Sequence, residues 1–297
     1  MNKFQTTETS LYINDTVYRP ILEDNSLLIE VATGCSYRRC SFCDFSRDQF
    51  ELIPIEKVKH NIKEIGKRNH DQRIVFLLGQ NALCLPTSAL LEIMGDITEH
   101  LSSVEEIHLY GRVDDILDKG PEDLLLLRKA GLTVIHIGIE SGSDIVLGNM
   151  RKGFTSADTL SAAALLDAAD IHYHTTYILG LGGRRHWQEH ITKTAELFCS
   201  LRPLSIWALA LNIWPETPLY EDMERGLFIP QSDEQMLAEE RWIIANSKLD
   251  ECLYMDTTAL GRYTIIGVLP KGKEKLLKSI DQLLLQYSVD EIVYYKS

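Results

Sequence analysis

Three cysteines lie close together in the first fifth of the chain, at Cys35, Cys40 and Cys43, with four residues in the first gap and two in the second. Three thiolates on one short loop can ligate three irons of a cubane iron-sulfur cluster and leave the fourth iron open to an external ligand. The alternatives are an electron-transfer cluster and a structural zinc site. Zinc usually takes four protein ligands, and the nearest further candidates, Asp44 and His60, match no paired Cys/His spacing.

The other three cysteines, Cys84, Cys199 and Cys252, are isolated from one another in the sequence. Each has apolar neighbours, which predicts buried small hydrophobic side chains and no second cluster. In a reducing compartment, the close spacing of the first three favours a metal site over disulfides.

Apolar, β-branched runs alternate with segments of helical period along most of the chain, which is typical of a parallel α/β sheet. Six such strands predict a partial (β/α)6 TIM-like barrel, with active-site loops at the carboxyl ends of the strands. The predicted strands are 27–32, 73–78, 104–110, 133–139, 172–179 and 204–212. The predicted helices between them are 55–67, 87–101, 121–130, 156–169 and 187–200.

The predicted organisation is one domain with three parts: an N-terminal extension (1–26), the barrel core (27–216) and a C-terminal helical extension (217–297). No Pro/Gly/Ser-rich linker divides the chain. In the last part, amphipathic helices near 233–247 and 273–287 flank a stretch predicted to be irregular, 249–270.

The cysteine loop also carries an aromatic residue, Phe42, between its last two thiols. This loop resembles that of the radical S-adenosylmethionine (SAM) superfamily, in the subset with a C-x4-C-x2-C loop related to oxygen-independent coproporphyrinogen oxidase-like proteins. The resemblance implies that the open iron of a [4Fe-4S] cluster binds SAM. It further implies an enzyme that cleaves SAM reductively to methionine and a 5′-deoxyadenosyl radical.

The stretch that ends in Glu140 and Ser141 is similar to a strand-end turn that contacts SAM in those proteins, although a helix cap at Ser141 or Ser143 is the alternative. Downstream, Lys152 matches a short basic segment in which a cation faces the SAM carboxylate, with Arg151 as the alternate. Either cation could instead be a solvated loop charge.

Three more segments extend the resemblance. Many superfamily members have a Gly-Gly-Glu turn after the second strand that binds the SAM amino group, whereas this chain has Gly79 followed by Gln80 and Asn81. Arg112 closes the third strand, and Gly180 lies in a glycine run that lets backbone approach a ligand. The residues expected to bind the cofactor are therefore Phe42, Gln80, Asn81, Arg112, Glu140, Ser141, Lys152 and Gly180, and no catalytic side chain is assigned.

The formal net charge is -13, and Lys and Arg are scattered, which disfavours nucleic acid as a partner. No apolar run is long enough to cross a bilayer and the start of the chain does not resemble a signal peptide, which predicts a cytoplasmic protein. The expected partners are a small-molecule substrate and an electron donor such as flavodoxin or ferredoxin. The alternatives are a porphyrin-directed activity, by the resemblance above, and a non-catalytic regulator that binds the cluster and SAM.

Several aromatic and polar residues on predicted strands or their ends could line a substrate pocket, with core packing as the alternative for each. They are His108, Tyr110, His136, His174, Tyr177, Trp207, Asn212 and Trp214.

Overall fold

The structure, a computed structural model, describes residues 19–44, 49–69, 71–257 and 264–294. The chain groups into two compact units. The first contains the residues up to Arg38, Asp44–Ile137 and Ala164–Tyr173. The second contains Arg39–Cys43, Gly138–Ala163 and the residues from His174 onward.

The strands of the described ranges are β1 (Leu27–Glu30), β2 (Ala32–Thr33), β3 (Glu51–Leu52), β4 (Ile74–Leu78), β5 (Glu106–Gly111), β6 (Leu132–Glu140), β7 (His172–Leu179), β8 (Ser205–Ala210), β9 (Cys252–Asp256) and β10 (Ile265–Leu269). The helices are α1 (Ile55–Gly66), α2 (Thr87–His100), α3 (Val113–Lys129), α4 (Asp144–Asn149), α5 (Ser156–Ala168), α6 (Gly183–Phe198), α7 (Pro218–Glu224), α8 (Asp233–Asn246) and α9 (Lys273–Tyr294).

The main sheet is mostly parallel, with the strand order β1-β4-β5-β6-β7-β8-β9-β10. In the first unit, Leu28 pairs with Phe76 and Phe76 pairs with His108, so β1, β4 and β5 are parallel neighbours. The side chains of β4 are almost all buried, as expected for a parallel strand covered on both faces. These strands and the helices between them confirm the predicted α/β class.

The end of the sheet in the second unit corrects one prediction. The stretch 249–270, predicted to be irregular, contains β9 and β10. β9 runs parallel to β8, with Ser205 opposite Leu253, and β10 pairs with β9 in the antiparallel sense. Cys252 and Tyr254 of β9 are fully buried. A short apolar segment becomes a strand here because it pairs with the backbone N–H and C=O groups along the edge of β8. The C-terminal extension is therefore not purely helical.

Helix α3 begins eight residues before the predicted helix start at Pro121. Two helical segments meet at Gly120, whose φ is +64° and whose conformation is not helical. Glycine adopts this left-handed region at little cost, and Pro121 then suits the first position of the second segment. The first segment was missed because it is short and acidic at its start, with Asp114 and Asp115 in the first turn.

The burial of the three isolated cysteines depends on where each lies in these elements. Cys252 is buried on β9, as predicted, whereas Cys84 is partly exposed and Cys199 is exposed. The prediction of burial is wrong for Cys199 because this residue is the C-cap of α6, just past the buried Phe198, where the chain turns away from the core.

The longest described helix, α9, spans 22 residues. Charged residues such as Glu274 and Asp281 interrupt its apolar positions. In the described ranges, no helix combines the length and apolar character needed to cross a membrane.

Candidate cofactor site

The cysteine loop follows β2 and opens with Gly34, which has a φ of +63°. By the division into units, Cys35 belongs to the first unit, and Cys40 and Cys43 belong to the second. All three cysteines are partly exposed, and none of them forms a disulfide. They are therefore available as ligands to an ion or cluster.

The second half of the loop is anchored through backbone and apolar contacts. The Ser41 amide donates to the Met150 carbonyl (3.0 Å), and the Ser41 carbonyl accepts from the Leu219 amide (2.9 Å). Phe42 is buried among Val146, Met150 and Leu219, and the last two cysteines of the loop pack against the same cluster. The buried Phe42 ring thus anchors the loop to this apolar cluster, while the neighbouring thiols stay partly exposed.

In the first unit, Asn81 holds the first half of the loop. Its Nδ2 donates to Ser36 Oγ (2.8 Å) and to Asp115 Oδ2 (2.6 Å). The side chain is 1% exposed, and its Oδ1 has no hydrogen-bond partner among the described residues. A buried acceptor without a partner costs about 1–3 kcal/mol, so this atom suits the donor of a ligand. Gln80, beside it, is partly exposed.

Arg112 is buried at the start of α3 and stacks on a residue of the cysteine loop. Its Cζ lies 3.8 Å from the centroid of the Tyr37 ring, and its Nε forms an ion pair with Asp114 Oδ1 at 2.9 Å. The cation-π contact orders the loop next to Cys35. The predicted strand-end arginine therefore contacts the loop that carries the first cysteine.

Glu140 and Lys152 form a buried ion pair in the second unit. Lys152 Nζ lies 3.0 Å from Glu140 Oε1, and Thr176 Oγ1 donates to Glu140 Oε2 at 2.9 Å. The residues are 7% and 6% exposed, in that order. The ammonium group also lies 5.8 Å from the Phe42 ring centroid and 5.6 Å from that of Phe154. Three of the predicted site residues are thus brought together around one charge pair.

Backbone conformation contributes to this arrangement. Glu140 itself has a φ of +64°, which is uncommon for a residue with a side chain. A Cβ at Gly138 would collide with the Glu140 carboxylate, so a larger residue there would displace this carboxylate from its position beside Lys152. Arg151, the alternate cation, is exposed, which leaves Lys152 as the buried cation next to Glu140.

Ser141 is fully buried and forms a hydrogen-bond chain with His190. His190 Nε2 lies 3.1 Å from the Ile178 carbonyl, which can only accept, so Nε2 carries the proton. Burial lowers the pKa of His190 to about 4, so the ring is neutral and its Nδ1 accepts from the Ser141 hydroxyl (2.8 Å). Ser143, not Ser141, caps α4 through the Val146 amide. The Ser141 side chain is thus committed to shaping the turn.

Gly180 adopts a φ of +79°, and its amide donates to Glu239 Oε2 of α8 at 2.7 Å. Gln231 Nε2 donates to Glu239 Oε1, also at 2.7 Å. A Cβ at Gly180 would lie 2.8 Å from Met236 Sδ, so the turn requires glycine. Burial raises the pKa of Glu239 to about 7, against the lowering effect of its two hydrogen bonds.

This carboxyl predicts a pH dependence of stability. Because the folded-state pKa of Glu239 lies above its unfolded value of 4.5, its contribution is full below about pH 4.5 and is lost as the pH rises through about 7. The free energy of unfolding, measured in urea from pH 5 to 8, should fall more steeply in the wild type than in Glu239→Gln. The expected difference is on the order of 3 kcal/mol across the full window. Glu224→Gln, at an exposed position, serves as control, and equal slopes in all three proteins would contradict the assignment.

Most of the predicted pocket residues turn out to have partners within their own units. His174 Nδ1 bonds Ser205 Oγ (2.7 Å), Tyr177 bonds the Tyr254 hydroxyl (2.6 Å), and Trp207 Nε1 donates to Thr257 (3.0 Å). Tyr110 packs edge-on against Phe76 and His136. His108 and His136 each contact the Glu23 carboxylate. Asn212 and Trp214 are exposed.

Three residues with buried polar contacts were not found by sequence reasoning: Glu23, His190 and Glu239. Glu239 is an acid on the face of α8 that also buries Met236 and Ile243, and this break in the apolar pattern was the available signal. His190 and Glu23 have no comparable local pattern, because their partners come from distant segments.

The family of this chain follows from comparison with known proteins. The model of the radical SAM superfamily matches residues 29–197, more than half of the chain. Among curated proteins, an anaerobic magnesium-protoporphyrin IX monomethyl ester cyclase of Cereibacter sphaeroides is 28% identical over 199 residues, which cover 65% of this chain and 31% of that protein. A tRNA-2-methylthio-N(6)-dimethylallyladenosine synthase of Bordetella avium is 23% identical over 211 residues, which cover 66% and 43%.

The chain spans less than half the length of these two relatives. Because tRNA-modifying enzymes are among the relatives, the family does not exclude a nucleic acid substrate, contrary to what the charge distribution alone predicts.

Solved structures show the same fold at low sequence identity. Methylornithine synthase (PylB) aligns with a TM-score of 0.53 and 16% identity, covering 76% of this chain and 64% of that one. The methyltransferase TsrM of Kitasatospora setae, solved with cobalamin and a [4Fe-4S] cluster, aligns with a TM-score of 0.55 and 17% identity, covering 67% and 39%. Radical SAM structures of this kind have a partial TIM barrel, and superfamily members are enzymes that use a [4Fe-4S] cluster and SAM. The match of the family model over more than half of its residues shows that this chain belongs to the radical SAM superfamily.

Proposed function

We propose that Cys35, Cys40 and Cys43 ligate a [4Fe-4S] cluster at which SAM is cleaved. The observation that carries this proposal is the donor set: three partly exposed thiols, none in a disulfide, on one loop whose backbone is anchored at Ser41. The set fits a cubane with one open iron. When bound and reduced, the cluster supplies the electron that cleaves SAM to methionine and the 5′-deoxyadenosyl radical.

The proposed SAM contacts follow from the charges and orphaned atoms around the loop. Lys152 is a buried cation that donates to Glu140, and we assign its ammonium group, which carries three N–H donors, to the SAM carboxylate. The buried Asn81 Oδ1 is an acceptor suited to the SAM amino group. We assign Glu140 to the nucleoside part, as the strand-end turn predicts.

The other residues of the set act on shape. Ser141, fixed by His190, and Gly180, fixed by Glu239, hold two turns of the second unit in defined conformations. Arg112 contacts the first half of the cysteine loop through Tyr37, and Gln80 precedes Asn81, which holds Ser36 of the same loop. Ordered turns keep reacting groups oriented and exclude water, which a radical reaction requires.

We propose a small-molecule substrate and an external electron donor such as flavodoxin or ferredoxin. The net charge of -13 supports this choice over a polyanion, which would be repelled. Because a tRNA-modifying enzyme is among the relatives, the experiment below also tests tRNA as the alternative substrate.

The experiment measures 5′-deoxyadenosine after anaerobic reconstitution and reduction with dithionite. We expect slow cleavage of SAM by the enzyme alone and much faster cleavage when a metabolite pool contains the substrate, because a correctly placed hydrogen traps the radical. Transfer of deuterium from a labelled substrate into 5′-deoxyadenosine identifies direct abstraction.

The same assay with a tRNA pool decides between substrate classes. Stimulation by tRNA and not by metabolites would contradict the small-molecule proposal. If fully loaded, reduced protein never cleaves SAM, the enzymatic function is wrong and a cluster-binding regulator is favoured. The Cys40→Ala variant provides the background of the assay.

A further inference from the structure

A buried cluster of one carboxylate and two imidazoles lies in the first unit, outside the proposed cofactor site. Glu23 Oε1 is 2.8 Å from His108 Nδ1 and 2.7 Å from His136 Nε2. The three residues are 2–7% exposed, and their ligand-type atoms all lie within 4.8 Å of one another. Glu23 precedes β1, whereas the two histidines lie on β5 and β6, so residues distant in sequence converge on one point.

A second layer of hydrogen bonds orients these three side chains. His108 Nε2, the nitrogen that faces away from the cluster, is 3.1 Å from Glu106 Oε2. The Ser26 hydroxyl donates to Glu23 Oε2, the oxygen that does not face the two rings. Carboxylate contacts to the outer nitrogen of a histidine are the usual support of a metal-ligating imidazole, because they fix its tautomer and ring orientation.

The spacing also suits an ion. Two ligands at about 2.1 Å from a metal and at right angles are about 3 Å apart, close to the distances from Glu23 Oε1 to His108 and to His136. Glu23 Oε1 faces a ring nitrogen of each histidine and Oε2 accepts from Ser26, which is the arrangement of an ionised carboxylate. Two histidines and one carboxylate are a common ligand set for zinc and iron(II).

The cluster is closed on one side by aromatic rings. Phe76 and Tyr110 each contact the His136 ring edge-on, with centroids 5.6 Å and 5.8 Å away. A low-polarity enclosure strengthens the interaction of a cation with the Glu23 carboxylate.

We propose that Glu23, His108 and His136 bind a divalent first-row transition-metal ion that ties the segment before β1 to strands β5 and β6. The ring nitrogen that faces Glu23 must be deprotonated in each histidine: His108 releases this proton, and His136 moves it to Nδ1 so that the ring stays a neutral imidazole. His108 keeps its Nε2 proton on Glu106. At least one coordination position remains for water, since three protein ligands do not fill the shell.

The test uses the whole chain with its iron-sulfur cluster reconstituted anaerobically. The sample is freed of loosely bound metal with a chelator and then given Zn²⁺ as the probe. Zinc and iron are counted in the same sample by mass spectrometry after desalting. We expect about one tightly held zinc per chain in the wild type and in the control His172→Gln, whose histidine is exposed on β7. Glu23→Gln should hold much less, and zinc should raise the melting temperatures of the wild type and of His172→Gln but not that of Glu23→Gln.

Glu23→Gln changes only the carboxylate of the Glu23, His108 and His136 group. Zinc bound to cysteines that hold no iron would therefore appear equally in this variant and in the wild type. Equal zinc in the two proteins, or none in the wild type, would overturn the proposal. If Glu23→Gln does not fold, Glu106→Gln replaces it, because the Glu106 side chain is 45% exposed and tolerant of change. That variant should bind zinc about 10- to 100-fold more weakly, and an unchanged affinity would overturn the proposal as well.

Discussion

Replacing Cys40 with alanine should remove the iron-sulfur cluster and abolish SAM cleavage. A cubane held by three thiolates does not survive with two, so iron should fall from about four per chain to near zero and the broad brown absorption should vanish. Iron analysis and the visible spectrum of anaerobically purified protein measure this. Cys35→Ala and Cys43→Ala should behave alike.

Matched controls come from the cysteines outside the loop. Burial raises the pKa of Cys84 to about 11 and that of Cys252 to about 12, so both are protonated at neutral pH and are poor ligands. Cys84→Ala should therefore retain the cluster, as should the exposed Cys199→Ala. Iron lost from Cys84→Ala but retained in Cys40→Ala would refute the ligand assignment.

Replacing Lys152 with methionine should destabilise the fold and weaken SAM binding together. The variant leaves the Glu140 carboxylate buried, with Thr176 as its described hydrogen-bond donor. Breaking a buried pair from one side typically costs about 3–5 kcal/mol, which urea unfolding would detect. Iron content should stay near that of the wild type, since no cluster ligand has changed.

The double variant Glu140→Gln/Lys152→Met separates stability from binding. Removing both charges should restore most of the free energy of unfolding but not the affinity for SAM, measured by equilibrium dialysis. Lys193→Met, at an exposed ion pair with Glu196, should change the free energy of unfolding by less than about 1 kcal/mol. Wild-type SAM affinity in the double variant would exclude the pair from the cofactor site.

The sequence alone predicts the α/β class and the six parallel strands. Hydrophobic periodicity is a local signal, and β7 was predicted to the residue while β4 and β6 were predicted to within one residue at each end. The strands β9 and β10 were missed because an edge segment becomes a strand only when a neighbouring strand offers its hydrogen-bonding groups.

The cysteine loop was equally accessible to sequence analysis, since its thiols lie within nine positions and three thiolates on one loop are a possible ligand set for an iron-sulfur cluster. The electrostatic partners were not. Glu140 meets Thr176 across 36 residues, Gly180 meets Glu239 across 59, and Glu23 meets His136 across 113. A buried charge is tolerated only where folding brings a donor or counter-charge to it, and no local pattern records that choice. The residue types in the sequence therefore determined what chemistry is available, and the tertiary structure decided which residues come into contact to carry it out.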